Sequence, residues 1–380
     1  MSSKSSISDA LDRFRQCSKR ALNPSLVDFI EQVQSYDYIP EITRVAEDMG
    51  LHASTIWKFM NVLKEKGFRF TADVDILRLG LEAVTLVLDE YMEYEEVFKS
   101  TLRFYAPLIP WGTFLIYLVP RGMSETLINS LAGILPREPR EIIKLTYSIP
   151  AKPNLRKYYD PKTNVIRLDW DELLNAIKSS PKEAIPSGAL RRGKFDEIDL
   201  FIIRELEKNP FISLKKITED LNKEFKPVTS INYIRVLRHF KNHIEARGVI
   251  RGVKLISAPL KEHASIYIAA ILRGNPAELH RVGKALVAHP YFDSAFFNPI
   301  EGIGLILGSL PADEVFNFSI FLDKLREDRI VREWSYYMLD YTRKRMLTIP
   351  YVILSEPINE LVEYFKRYGK DRVVGDVLAT

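Results

Sequence analysis

Apolar residues recur along this chain in two spacings, one helical and one alternating or continuous, and the whole succession runs twice with a break near its midpoint. In the first half, Leu26 to Ser35 has the spacing of a short helix. A second helix is predicted over 40–49, with Pro40 in its first turn, Ile42, Val45, Ala46 and Met49 as its inward stripe and Gly50 as its stop. From Leu51 to Gly67, Ile56, Phe59, Met60 and Leu63 cluster on one side of a third helix, and Ser54, Trp57, Lys58, Asn61 and Glu65 face away. Phe68 to Leu79 reads as a two-stranded wing. Then come a strand at 81–88, a helix at 95–104, a strand at 113–119, a helix at 124–135 and a strand at 142–149. A hairpin-like turn at 158–164, a helix from Asp169 and a Ser/Pro/Gly-rich linker ending in Arg191-Arg192-Gly193 complete this half.

The second half repeats the order. Asp196–Lys208 is helical, with Ile198, Phe201, Ile202 and Leu206 inward, and Asn209-Pro210 breaks it. Ser213 caps a second helix that buries Leu214, Ile217 and Leu221. A third helix starts at Thr229 or Ser230, with Tyr233, Val236, Leu237, Phe240 and Ile244 on its core side. A wing follows at Gly248 to Ile256. Six further elements are predicted at 265–272, 276–288, 292–297, 302–307, 312–326 and 331–338, in the order strand, helix, strand, strand, helix, strand.

This pattern gives an α+β expectation: two winged helix-turn-helix domains and two ferredoxin-like βαββαβ domains in tandem. The boundaries are a basic extension at 1–24, a first head at 25–78, a first platform at 79–178 and a linker at 179–194. The second head spans 195–257, and the second platform with a C-terminal helix spans 258–380. With 46% hydrophobic and 27% charged residues the composition is that of a folded protein. No membrane span or secretory leader is recognisable, and the single Cys17 excludes an internal disulfide, so a cytoplasmic protein is expected. No cofactor, no metal site and no catalytic constellation are expected, and the chain is read as no enzyme.

Charge sharpens the picture. Residues 185–256 carry 15 Lys and Arg against nine Asp and Glu, whereas residues 25–80 carry six against nine, so the second head has the field suited to a polyanion. On its third helix Asn232, Arg235, Arg238, His239 and Asn242 face outward, with Lys241 at the flank. Arg offers a bidentate fork to guanine and Asn the equivalent for adenine, which suits base reading in a major groove. Thr229 and Ser230 stand at the helix start, and Arg247, Arg251 and Lys254 on the wing are placed for phosphates. The candidate DNA surface of the first head is Ser54, Trp57, Lys58 and Asn61.

Residues 195–222 resemble the opening of the Lrp/AsnC family of transcription regulators. The matching residues are Phe195-Asp196-Glu197-Ile198-Asp199 and Ile212-Ser213-Leu214, and His52–Gly67 has the spacing of that family's recognition helix. The resemblance implies a sequence-specific regulator of transcription, here an intramolecular pseudo-dimer that reads a two-part site on double-stranded DNA. It also implies platforms paired face to face, a possible small-molecule effector and a possible homodimer. The chain departs from the family in being doubled and in the extra residues near Lys241–Arg247. Its nearest match to the family's effector turn is Ile300-Glu301-Gly302-Ile303-Gly304.

Two alternatives stay open. One is a sirohaem-decarboxylase-like enzyme of the same fold family, which needs His and Arg to converge in a platform pocket. His263, His280 and His289 with Arg273 and Arg281 are the candidates, and the pattern expects surface positions for His280, Arg281 and His289. The other is a non-specific DNA-binding or adaptor protein, with Tyr341–Arg345 and a helix at 358–367 as contact surfaces.

Overall fold

The computed structural model describes residues 22–163, 165–183, 195–225, 230–257 and 265–379. Thr229, His263, Cys17, most of the basic extension and most of the linker therefore lie outside the described residues.

In chain order, helices α1 (Pro24–Ser35), α2 (Ile42–Asp48) and α3 (Ala53–Glu65) lead into strands β1 (Phe68–Val74) and β2 (Leu81–Leu88). Strands β3 (Leu102–Ile109) and β4 (Thr113–Pro120), helix α4 (Ser124–Leu131) and strands β5 (Glu141–Leu145) and β6 (Tyr147–Ile149) follow. The turn α5 (Leu155–Tyr158), the short pair β7 (Tyr159–Asp160) and β8 (Val165–Ile166), and α6 (Trp170–Ser179) end the first half. The second half opens with α7 (Glu197–Lys208), α8 (Leu214–Phe225) and α9 (Tyr233–Arg238), which runs on as a π-helical stretch, His239–Glu245. Next are β9 (Ile250–Ser257), β10 (Ser265–Arg273), α10 (Pro276–Val287), β11 (Phe292–Asn298) and β12 (Ile303–Pro311). The chain closes with α11 (Glu314–Glu327), β13 (Glu333–Leu339), β14 (Arg345–Leu347), α12 (Ile358–Tyr368) and β15 (Val377–Ala379).

The protein is mixed α/β, and its strand pairs are antiparallel throughout the described residues. One large sheet has the order β5-β2-β4-β3-β13-β10-β12-β11-β6. The runs 81–145 and 265–339 have the same internal order, with the first strand between the fourth and the third and the second strand outside the third. They meet edge to edge where Leu108 pairs with Leu339 and Ile109 with Met338. Each half also lends the other a strand: β6 pairs with β11 through Tyr147 and Phe297, and β14 pairs with β3 through Met346 and Phe104.

Both faces of the sheet are covered, which explains the near-continuous apolar runs. Alternate residues of β10 go to opposite cores: Ile268, Ala270 and Leu272 pack with α6, α10 and α11, and Tyr267, Ala269 and Ile271 pack with β1, α7 and β9. In β4, Leu115, Tyr117 and Val119 pack with α4 and α12, while Phe114, Ile116 and Leu118 share the core reached by α7.

Several expectations are corrected here. Phe68 to Leu79 does not fold back as a wing of its own. Instead β1 pairs with β9, Phe70 opposite Leu255 and Ala72 opposite Val253, so each half supplies one strand of a shared ribbon. The helix expected at 95–104 is a single turn, Tyr94–Glu96, followed by β3. There the N–H groups of Lys99 and Ser100 donate to Asp371 Oδ1 at 2.6 and 2.7 Å instead of to helical carbonyls. Pro107 also excludes a longer helix. The strand expected at 142–149 is two strands with different partners, β2 and β11. The helix expected from Pro40 begins at Ile42, with Glu41 at its N-cap. Tyr233, expected in the core, is 46% exposed.

Candidate functional site

Helix α10 is built to present a polar wall. Asn275 caps it, its Oδ1 accepting from Ala277 N at 3.0 Å, and Pro276 takes the first position. Leu279, Val282 and Leu286 seat it on the sheet. Gly283 sits so close that an added Cβ would lie 2.4 Å from the Phe297 ring. The flank of α10 that carries His280, Arg281 and Lys284 is then covered by α6 and the chain after it. Between them lies a pocket of about 310 Å³, lined by His280, Arg281, Lys284 and Ala285 of α10 and by Asn154, Lys157, Tyr158, Leu173, Ala176, Ser180 and Glu183 opposite, among others. That volume is at the lower end of small-molecule sites.

His280 and Arg281 are not on the surface as expected; they are only 6% and 9% exposed. Burial lowers the pKa of His280, so its imidazole is neutral near pH 7, and Nε2 lies 3.4 Å from the Tyr147 hydroxyl. Arg281 pairs with Glu278, and its Nη1 donates to the carbonyls of Lys178 and Ser180, both at 3.3 Å. Its Nε–H is buried without an acceptor among the described residues. Arg281 itself lines the pocket, and a buried polar group left without a partner is uncommon in a folded protein. Lys284 pairs with Glu183 at 2.6 Å, and Lys157 lies 4.9 Å from the centre of the Tyr158 ring. Three cations thus line the pocket, each paired with a carboxylate: Arg281 with Glu278, Lys284 with Glu183 and Lys157 with Glu172 at 2.8 Å. His289, also expected at the surface, is 1% exposed and outside this pocket. Arg273 pairs with Glu141 at 2.5 Å, away from it.

A second polar cluster lies where the ribbon meets the sheet. Tyr267 donates its hydroxyl to both oxygens of Asp293, at 2.9 and 2.7 Å, and burial pushes its pKa well up. The ammonium of Lys344 stands 3.9 Å from the Tyr267 ring centre and 4.8 Å from that of Tyr341, and burial lowers its pKa. Lys344, in a segment expected as a contact surface, is 4% exposed. The adjoining cavities, about 50 and 70 Å³, have room for a few waters and no more.

The expected DNA-facing residues are placed unevenly. Arg235, Arg238, Lys241 and Asn242 are exposed along α9 and the π-helical stretch, as are Ser54, Trp57, Lys58 and Asn61 on α3. Asn232 and Ser230 are exposed but engaged: Asn232 caps α9, accepting from Arg235 N at 2.9 Å, and the Ser230 hydroxyl reaches Asn222 at 3.2 Å. His239 turns inward to Asp199 at 2.9 Å instead of facing out. Arg251 is half-buried, its Nε 3.1 Å from Asp73, and Lys254 borders the two small cavities. Arg247 lies 5.0 Å from the centre of the Phe195 ring. Sequence reasoning did not single out Tyr147, Lys157, Lys284, Tyr267, Asp293 or Lys344 as site residues. Of the pocket residues, only His280 and Arg281 were candidates from the sequence, as the His and Arg that the enzymatic alternative needs.

No protein-family model and no curated protein matches the chain. Among solved structures it is similar to the siroheme decarboxylase NirDL, at 11% identity and a TM-score of 0.49, over 90% of this chain and 98% of that one. It is likewise similar to that enzyme in complex with an iron-uroporphyrin III analogue, at 11% identity and a TM-score of 0.48, over 91% and 100% of the two chains. A third structure, PH0061, is 15% identical with a TM-score of 0.29, over 38% of this chain and 93% of that one. Against the expectation that the chain is no enzyme, two of the structures it is similar to are of an enzyme. At this identity no residue and no substrate is carried over from them. No helix among the described residues is long and apolar enough to cross a membrane.

Proposed function

We propose that the chain is an enzyme of the decarboxylase class, acting on a carboxylate-bearing tetrapyrrole whose acid arm enters the His280–Arg281 pocket. One observation carries the reading: a buried neutral imidazole and a buried guanidinium with an unsatisfied N–H stand together on a ligand-sized pocket rimmed by Lys157 and Lys284. This is the convergence of His and Arg that the enzymatic alternative requires. Arg281 and Lys284 hold the carboxylate by charge-assisted hydrogen bonds. When the bond between the carboxyl carbon and its neighbour breaks, carbon dioxide leaves and the electron pair stays on the neighbouring carbon. A proton relayed through His280 and the Tyr147 hydroxyl then closes that carbon, and no oxidant is consumed. The platforms of the sequence reading, 79–178 and 258–380, remain part of this proposal, supported by the strand order common to 81–145 and 265–339.

The test is a titration of the full chain with an iron tetrapyrrole carrying several carboxylates, followed by its visible absorbance and by release of carbon dioxide. Stoichiometric binding is expected, weakened in Lys284→Ala but kept in His280→Ala, which instead loses the release of carbon dioxide. An unchanged spectrum, or equal binding by both variants, rejects the proposal.

A second reading, contact with double-stranded DNA, is favoured by a different observation: Arg235, Arg238, Lys241 and Asn242 lie exposed on one short stretch of the second helix-turn-helix-like unit. It concerns another surface of the chain and leaves the pocket untouched.

A further inference from the structure

The extra residues that lengthen the third helix of the second half form a π-helical stretch, His239–Glu245, instead of more α-helix. Such stretches are frequent at functional sites. Here the stretch turns His239 and His243, four residues apart, toward a single carboxylate. His239 Nδ1 lies 2.9 Å from Asp199 Oδ1, and His243 Nδ1 lies 3.0 Å from both Asp199 oxygens. The three donor groups lie within 4.8 Å of one another. Asp199 is fully buried near the start of α7, where Oδ2 also accepts from Asp196 N at 3.0 Å. The Asp196 carboxylate, half exposed, stands 3.5 Å from His239 Nδ1.

We propose that Asp199, His239 and His243 form a binding site for a divalent transition cation of the zinc class. Two imidazole nitrogens and a carboxylate oxygen are the donor set such an ion takes. Metal–ligand distances near 2.0–2.1 Å in a tetrahedron put neighbouring donors about 3.3 Å apart. Each imidazole nitrogen here lies 2.9–3.0 Å from the Asp199 carboxylate, so seating an ion requires those contacts to lengthen by a few tenths of an ångström, within a donor set that spans no more than 4.8 Å. The cation takes the place of the protons now shared between the rings and the carboxylate, and both imidazoles bind it neutral. A fourth position faces solvent on the side of His243 and Asp196, whose side chains are 32% and 53% exposed. Water or the Asp196 carboxylate fills it. The ion joins the start of α7 to the helix that carries Arg235 and Arg238, fixing the pose of that face. The site is independent of the His280–Arg281 pocket.

The test uses the full chain, freed of metal with a chelator and titrated with Zn²⁺ against a chromophoric competitor, with Co²⁺ as a spectroscopic substitute. One tightly held equivalent is expected, together with the strong visible absorption of tetrahedral Co²⁺. His243→Gln, at a partly exposed position that leaves the core intact, is expected to bind at least about tenfold more weakly and to lose that absorption, with Asp199→Asn behaving alike. Circular dichroism identifies a variant that fails to fold, and His243→Gln then decides alone. Wild-type protein that retains no stoichiometric ion overturns the proposal, and so does a folded His243→Gln that binds as the wild type does.

Discussion

Arg251 of β9 and Asp73 of β1 meet across the ribbon that the two halves build together, Nε to Oδ2 at 3.1 Å and Nη2 to Oδ1 at 3.2 Å. The guanidinium also donates to the Ser148 carbonyl at 2.6 Å, so one side chain ties the second half to two segments of the first. Asp73 is 3% exposed. Removing one partner of a buried pair leaves an uncompensated charge, which costs more than the pair itself contributes. Arg251→Ala is therefore expected to destabilise the protein by about 3–5 kcal/mol, measured by urea denaturation. A loss within about 0.5 kcal/mol, the range of ordinary surface substitutions, would show that the pair does not hold the halves together.

One residue further along β9, Gly252 adopts φ +117°, and a Cβ there would lie 2.3 Å from the Tyr36 carbonyl oxygen. That oxygen already accepts from Lys152 Nζ at 2.9 Å. Gly252→Ala combines an unfavourable backbone conformation, worth about 1–3 kcal/mol, with a clash against backbone that cannot rotate away. A fall of at least about 2 kcal/mol in unfolding free energy is expected. An unchanged melting temperature would mean that the ribbon does not pack on the loop after α1 in solution.

The elements of 265–339 were legible in the sequence because each is a local pattern: Asn275-Pro276 marks the start of α10, and the apolar runs mark strands covered on both faces. Pairing was not legible, because it joins segments far apart in the chain. Nothing local in Phe68–Val74 says that its partner is Ile250–Ser257, or that Tyr147–Ile149 leaves its own neighbours for β11. The pocket was missed for a related reason. A helical wheel assumes one covered face, and by that measure His280 and Arg281 point to water. Helix α10 is covered twice, by the sheet and by α6. The His239–Asp199–His243 cluster was hidden because a π-helical stretch turns its side chains differently from the α-helical wheel that placed His239 outward.

His289 makes a pH dependence that can be measured. Its Nε2–H donates to the Arg167 carbonyl at 2.9 Å, and its Nδ1 accepts from Tyr291 N at 3.2 Å, so the folded protein holds the ring neutral. Burial pushes its pKa down to about 4, against 6.5 for a free side chain. Between those values the unfolded chain binds the extra proton. This contribution to stability is therefore present above pH 6.5 and is lost as pH falls toward 4. The gap corresponds to about 3 kcal/mol. His289→Gln, which keeps a donor and an acceptor but does not titrate, is expected to flatten that part of the stability profile. Parallel profiles for the two proteins would remove His289 as its source.

If the face of α9 contacts DNA, Arg235 and Arg238 are the side chains to test, because both are exposed and neither has an ion-pair partner among the described residues. Two roles give different signatures. An arginine that reads a guanine edge by two parallel hydrogen bonds is worth about 1–3 kcal/mol and discriminates between sequences. One that neutralises a phosphate weakens all sequences alike and lowers the slope of log affinity against log salt by about one. Arg235→Ala and Arg238→Ala, titrated on selected and scrambled duplexes at two salt concentrations, separate these cases. Loss confined to the selected duplex assigns base reading, and a uniform loss with a smaller salt slope assigns a phosphate contact. If both variants bind within about 0.3 kcal/mol of wild type, well below either range, the face is a solvated surface and the DNA reading falls.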